Sequence, residues 1–265
     1  MGRFKETVKA VLPEGCRPVA GASYRRTVEL WYLGDRRVCP CCGGHYRAFR
    51  SYGQPRRRGA LCPGCGSLER HRLLWLYLRE RTDLFCRKLK VFHAAPSPVF
   101  HRAFRALPNL FYVPADLDSP LAGVGVDLIQ IPFRDGAFDA VLCVHVLEHV
   151  SDDQRAMREL YRVLKPGGWA VLQSPVDGRY GATLEGPEGV RPEDRARLFG
   201  QRDHVRRYGR DYATRLEAAG FAVRVEPYAR ALGVDRIETF GLMGDETIYF
   251  CTKPDAEVGI EGGER

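Results

Sequence analysis

Residues 127–175 read DLIQIPFRDGAFDAVLCVHVLEHVSDDQRAMRELYRVLKPGGWAVLQSP. DAVLCVHV (139–146) is a short apolar run rich in β-branched residues, the pattern of a strand buried on both faces. A helical pattern follows over 152–163, and LKPGG (164–168) turns the chain into a second apolar strand, GWAVLQS (168–174). Strand, helix and strand in so short a span point to a parallel sheet covered by helices.

The same alternation extends outward in both directions. LKVFH (89–93), LFYVPA (110–115), a short segment near 124–128, FAVRVE (221–226) and TIYFCT (247–252) read as further strands. Helices are predicted near 98–107 and 204–219. Seven strands make one α/β domain. Ligands of such sheets sit beyond the carboxyl ends of the strands, so the residues after each strand are the candidates for chemistry. Asp116 follows the second strand, where a carboxylate can accept both hydroxyls of a ribose, and Asp127 is placed to meet an adenine edge. His145, Glu148 and His149 follow the fourth strand.

Three elements of this region carry a family resemblance: Gln130 to Asp139, Leu147 to His149 and Leu164 to Gly168. They resemble the xLPFxDxxFD, LEH and LxPGG elements of class I S-adenosylmethionine-dependent methyltransferases of type 11, especially the ubiquinone and menaquinone biosynthesis branch, with Ile131 in the leucine position. The resemblance covers about 91–252. It implies a Rossmann-like sheet of order 3-2-1-4-5-7-6 with an antiparallel seventh strand. It also implies S-adenosyl-L-methionine as cofactor, held by His93, Ala94, Ala95, Asp116, Leu117, Asp127, Leu128 and His145, with Asp116 on the ribose and Asp127 on the adenine side. One departure stands out. The family's glycine-rich loop after the first strand is HAAPSP (93–98) here, and alanine is expected to replace glycine only where its φ is negative. Ser97 and Pro98 still read as a helix cap and first-turn proline.

Transfer of a sulfonium methyl depends chiefly on positioning, because the donor is already activated. A base is needed only when the acceptor must lose a proton. His149, His145 and His204 are the candidates, since imidazole titrates near neutrality; for each, filling the wall of the site is the plainer alternative.

The front of the chain differs in kind. Residues 1–90 hold 20 Lys and Arg against 7 Asp and Glu, whereas 91–265 hold 21 against 26, so the overall charge of +8 divides into +13 and −5. A basic front suits an anionic partner, or is simply a solvated arginine-rich surface. Five of the nine cysteines lie between 39 and 65, in CPCCG (39–43) and CPGCG (62–66). Two Cys-x-x-Cys pairs separated by residues 43–61 have the spacing of a zinc ribbon, with Cys39, Cys42, Cys62 and Cys65 as ligands and Cys41 as the rival in the first pair. Four thiolates leave no open position, so this Zn2+ is expected to be structural. Gly43 and Gly66 permit the bends. Between the pairs Tyr46, Phe49 and Tyr52 read as ribbon core, and Arg56, Arg57 and Arg58 remain open. SLERHRLLWLYLRERTDLF reads as a helix capped by Ser67 whose apolar face joins ribbon to body; Glu69, Arg70, His71 and Arg72 at its start read as solvated or ligand-facing.

The expected organisation is an extension (1–37), a four-cysteine zinc ribbon (38–66), a connecting helix (67–88), a methyltransferase domain (89–254) with an insertion at 178–203, and a flexible tail (255–265). The insertion lies within the segment 177–209, which is rich in Gly, Pro and charge and reads as a lid over the methyl site carrying Glu185, His204, Arg206, Arg207 and Tyr208, or else as a solvated connector. With 45% hydrophobic and 28% charged residues the chain is neither disordered nor collagen-like, and no apolar run reaches the roughly 20 residues of a membrane span. The start lacks a secretory signal, so a cytoplasmic protein is expected. The leading functional expectation is methylation of a small, possibly anionic polar acceptor (a sugar, glycan precursor or natural-product intermediate) at oxygen or nitrogen. The alternatives are an RNA methyltransferase that grips rRNA or tRNA through its basic ribbon, and a non-catalytic zinc-ribbon adaptor. The sequence gives no oligomeric state.

Overall fold

A computed structural model describes residues 26–53, 55–186 and 189–255. Most of the expected extension and all but the first residue of the expected tail lie outside the described residues. Two compact units are present. One holds the described residues up to Arg81 together with Tyr228–Glu246; the other holds Thr82–Pro227 and the described residues from Thr247 onward.

The smaller unit contains two hairpins, preceded by a helical segment at 26–31. β1 (Leu33–Val38) pairs antiparallel with β2 (His45–Tyr46), and β3 (Arg50–Tyr52) with β4 (Arg57–Leu61). Helix α1 (Glu69–Arg81) follows. Tyr46 and Phe49 pack with Cys39 and Cys62 as a miniature core, whereas Tyr52 is half exposed. Gly44 and Gly64 are needed here: a Cβ on either would fall within 2.3 Å of the Tyr46 hydroxyl. Ser67 does not serve α1 as its cap; its hydroxyl lies 3.1 Å from Cys39 Sγ, and His71 Nδ1 accepts the Leu68 N–H instead. Arg72 is neither solvated nor ligand-facing. It is fully buried over the Phe49 ring, and its guanidinium donates to the carbonyls of Ala60, Ser67, Phe240 and Gly241 at 2.6–2.9 Å.

The larger unit is built on β5 (Leu89–Ala94), α2 (Pro98–Arg105), β6 (Leu110–Asp116), β7 (Val124–Gly125), β8 (Phe138–Val144), α3 (Asp153–Val163), β9 (Leu164–Gln173), β10 (Leu184–Glu185), α4 (Pro192–Phe199), β11 (Arg206–Arg207), α5 (Tyr212–Ala218), β12 (Ala222–Glu226) and β13 (Ile248–Thr252). The sheet order is β12-β13-β9-β8-β5-β6-β7, and β13 runs antiparallel to both neighbours. In strand numbers this is the expected 3-2-1-4-5-7-6. Phe92, Val141 and Leu172 of the central strands, Met157 and Leu160 of α3 and Leu216 of α5 share one buried core.

Three local expectations differ from what is observed. The strand near 124–128 shortens to two residues because Asp127 Oδ1 accepts the Ile129 N–H and turns the chain. LKPGG is not a turn before β9 but an irregular stretch within it, where Gly167 and Gly168 bond to Lys253 at the end of the last strand. The helix expected over 204–219 covers only 212–218: Arg206–Arg207 pairs with Leu184–Glu185, and Gly209 passes so close to Ala182 that a Cβ would lie 2.6 Å from its carbonyl group.

Two further helices, α6 (Tyr228–Ala231) and α7 (Val234–Phe240), lie between β12 and β13 in sequence yet belong to the smaller unit. Glu80 of α1 holds them, accepting from the Tyr228 hydroxyl at 2.7 Å and pairing with Arg236. The carbonyls that receive Arg72 end this segment. The sequence alone assigns these residues to the body, because strand-like segments flank them on both sides.

Candidate functional site

Each cysteine knuckle makes the same turn. Gly43 N–H donates to Cys39 carbonyl and Gly66 N–H to Cys62 carbonyl, with both glycines at φ near 70–77°. In the first knuckle Cys39 N–H also reaches the carbonyl five residues on, as Cys62 N–H does in the second. This brings the Sγ atoms of Cys39, Cys42, Cys62 and Cys65 within 4.8 Å of one another, with Cys39–Cys65 at 3.6 Å and Cys42–Cys62 at 3.8 Å. A tetrahedron with metal–sulfur bonds of about 2.3 Å has edges of about 3.8 Å, whereas a disulfide needs sulfurs about 2.05 Å apart. The rival Cys41 points elsewhere, its thiol donating to the His71 carbonyl at 3.7 Å.

In the larger unit the strand tips show a different chemistry. Ala95, just after β5, sits at φ 45°, and His145, just after β8, at φ 57°. The expectation that alanine needs a negative φ here is therefore not met. The backbone keeps the conformation of a glycine loop, at a cost of about 1–2 kcal/mol per residue. Two left-handed non-glycine residues on neighbouring strand tips mark strain of the kind that gathers at functional sites. Both are pinned: Ala95 N–H donates to Ala115 carbonyl at 2.8 Å and His145 N–H to Gln173 carbonyl at 2.6 Å. Ser97 caps α2 by accepting the Phe100 N–H, with Pro98 in its first turn.

The sequence-predicted site residues divide between tip, core and surface. The His93 side chain turns into the core, bonded to the Tyr112 hydroxyl at 3.0 Å and packed on Phe100 and Phe104, so it can offer a cofactor only its backbone. Burial pushes its pKa down to about 3, which keeps the ring neutral. Ala94 is buried in β5. Asp116, at the β6 tip, accepts the N–H groups of Asp118 and Ser119 on Oδ1, and Oδ2 has no partner among the described residues. Leu117 beside it is 66% exposed, an apolar surface next to a carboxylate. Asp127 is exposed and Leu128 buried. His145 Nδ1 pairs with Glu148 at 3.4 Å, while its Nε2 is buried without a partner. An orphaned polar atom at a strand tip is the site's clearest opening for a polar ligand.

Glu148, His149 and His204 come together, one donor atom of each within 4.8 Å of the others. Glu148 is 2% exposed and stays ionised: burial pushes its pKa up, but the hydrogen bond and charge of His145 leave it below the usual range. The insertion that carries His204 is docked onto the β8–α3 turn. Val205 N–H donates to the Glu148 carbonyl at 2.9 Å, and Arg206 caps the carbonyls of Leu147, Val150 and Ser151. Arg206 and Tyr208, candidates for an acceptor pocket, are instead buried; the Tyr208 hydroxyl donates to Asp153 at 2.7 Å. Arg207 pairs with Asp177 at 3.7 Å.

Residues 111–172 match the model of the methyltransferase domain family, and that stretch holds Asp116, Asp127, His145 and the β8–α3–β9 unit. That match and the sheet order give the larger unit the Rossmann-like fold of methyltransferase domains. This chain is 42% identical over 48 residues to norajmaline N-methyltransferase of Rauvolfia serpentina, covering 18% of this chain and 16% of that protein. It is 41% identical over 66 residues to ubiquinone biosynthesis O-methyltransferase of Chromobacterium violaceum, 23% and 28% of the two chains. A tRNA U34 carboxymethyltransferase of Nautilia profundicola is 34% identical over 95 residues, 36% and 27%. The chain thus spans less than a third of the length of these curated relatives. Among solved structures the [4+2]-cyclase SpnF is similar with a TM-score of 0.50 at 19% identity, covering 70% of this chain and 82% of that one. A methyltransferase domain's fold therefore does not by itself fix the reaction. No helix among the described residues is long and apolar enough to cross a membrane.

Proposed function

We propose that this protein transfers a methyl group from S-adenosyl-L-methionine to oxygen or nitrogen of a small polar acceptor. The observation that carries the reading is the pair of strained tips, Ala95 and His145, with the orphaned His145 Nε2 beside them. Bound there, S-adenosylmethionine supplies a sulfonium-activated methyl. Asp116 would hold the ribose hydroxyls, the exposed Leu117 would cover an adenine face, and Asp127 would lie on the adenine side. The backbone after β5, left-handed at Ala95, would pass close to the methionine portion. The docked insertion would cover the acceptor side, where His145, His149 and His204 stand as candidate proton acceptors. Calorimetry with S-adenosylmethionine and S-adenosylhomocysteine tests the proposal: saturable binding is expected, weakened at least tenfold, about 1.4 kcal/mol, in Asp116→Ala. Silence with both ligands would leave the adaptor reading.

We also propose that Cys39, Cys42, Cys62 and Cys65 hold a structural Zn2+. Four thiols at these distances are an electrostatically poor arrangement for thiolates without a cation among them. Thiols kept as ligands suit a reducing compartment, in keeping with a cytoplasmic setting.

One observation favours RNA as a second class of acceptor. Trp31 is 71% exposed with the Arg47 guanidinium 5.0 Å from its ring centroid, and Arg36, Arg56 and Arg58 of the basic front are exposed as well. Stacking faces and guanidinium groups suit unpaired bases and phosphates. Retention of tRNA or rRNA on a gel at physiological salt, falling steeply as salt rises, would select this reading.

A further inference from the structure

Outside the cysteine cluster, one other group of metal-binding side chains exists among the described residues: Glu148, His149 and His204. Its wiring is specific. His149 Nδ1 lies 3.2 Å from the Asp203 carbonyl, and His204 Nδ1 lies 3.2 Å from the Phe199 carbonyl. A carbonyl can only accept, so each ring carries its hydrogen on Nδ1 and its lone pair on Nε2. Glu148 is held from behind too: the Ser174 hydroxyl donates to Oε2 at 2.9 Å, and His145 Nδ1 lies 3.4 Å from Oε1. Every potential ligand thus has an outer partner that fixes its tautomer or orientation, the arrangement found behind metal-bound imidazoles and carboxylates. The two histidine rings pack edge to face with centroids 4.7 Å apart, and one donor atom of each of the three residues lies within 4.8 Å of the others.

We infer that Glu148, His149 and His204 form a second metal site, taking a borderline divalent ion such as Zn2+ through two imidazole nitrogens and one carboxylate oxygen. Two histidines and a glutamate are the donor set of open zinc sites and of non-haem iron sites, in which protein ligands leave a position free for an oxygen ligand. Glu148 and His204 are buried, and the His149 side chain is one-third exposed, so the site is rigid on two sides and reachable on the third. The ion would also tie the insertion, through His204, to the β8 tip. With it in place the two imidazoles are ligands rather than proton acceptors, and an acceptor hydroxyl bound to the ion would be acidified and pass its proton to solvent water. That last consequence rests on the methyl-transfer reading; the ion site does not.

The test is a Co2+ titration of the full chain after its ribbon has been filled with one equivalent of Zn2+. Wild type is expected to take up one further equivalent, with weak visible bands and no thiolate charge-transfer absorption, because the new ligands are nitrogen and oxygen. Glu148→Gln and His149→Ala should each weaken that uptake at least tenfold, and His204→Ala should do the same. Glu148→Gln preserves shape, and His149 is the most exposed of the three, so folding is guarded in two of the variants. The inference is overturned by no second equivalent in wild type, by thiolate absorption showing that cobalt has displaced ribbon zinc, or by Glu148→Gln and His149→Ala binding as wild type does. Cofactor calorimetry on the same sample reads the methyl-transfer proposal separately, so either can fail alone.

Discussion

The ribbon unit and the sheet unit are stabilised in opposite ways. The first has a core of a few side chains around Tyr46 and Phe49 and depends on point interactions: four clustered thiols and the single guanidinium of Arg72. The second buries a large continuous core, beside which the cost of its strained tips and polar clusters is small. Small units that cannot bury enough apolar area concentrate their stability in metals and a handful of hydrogen bonds, and the effect of a substitution should follow that division.

The largest effect is expected at the thiols. Cys62→Ser should lose the single ribbon zinc by metal analysis and the amide protection of β1–β4 by hydrogen exchange, since structural zinc contributes on the order of 10 kcal/mol to such folds. A metal-free preparation with protected ribbon amides would break the contrast between the two units. Next comes Arg72→Met, which fills similar volume but removes the guanidinium donor from the carbonyls of Ala60, Ser67, Phe240 and Gly241. A loss of about 3–5 kcal/mol is expected in urea unfolding of the zinc-loaded protein. A loss under about 1 kcal/mol would mean that the guanidinium is not the second support we take it to be.

In the sheet unit the effects should be smaller and, for His93, dependent on pH. Its folded pKa, about 3, lies below the ordinary 6.5, so between those values the unfolded chain binds more protons. Stability from this group is complete above pH 6.5 and declines as pH falls toward 3, by about 2 kcal/mol at pH 5. His93→Phe should flatten that acid limb, and an unchanged limb would assign the acid sensitivity to other groups. Smallest is Ala95→Gly: relief of the left-handed strain, about 1–2 kcal/mol, is offset by about 0.5–1 kcal/mol of glycine chain entropy. The thermal midpoint should therefore hold or rise slightly. A clear fall would show that the alanine methyl is needed where it sits.

The same contrast explains what can be read from the amino acids alone. The thiol cluster is legible because its ligands come as two pairs three residues apart, each set by one tight turn. The sheet order is legible because residues 127–175 carry three motif elements in sequence. Each of Glu148, His149 and His204 attracts notice in the sequence, but their convergence depends on the Arg206 guanidinium capping carbonyls after β8, and no local pattern encodes that. Arg72 escapes a local reading for a related reason: a charged residue in a helix's first turn looks solvated until carbonyls of Phe240 and Gly241, far along the chain, are seen to receive it. His93 looks like a ligand contact by position, and only the aromatic rings around it show that its side chain faces inward.

The return of Tyr228–Glu246 to the smaller unit bears on how the molecule can be cut. Shortening the gene to begin after Arg81 would not yield a clean catalytic half. It would leave a loop with α6 and α7 bereft of Glu80 and of the arginine that donates to their carbonyls, hanging from the sheet between its last two strands. Excision has to remove both pieces and bridge Pro227 to Thr247.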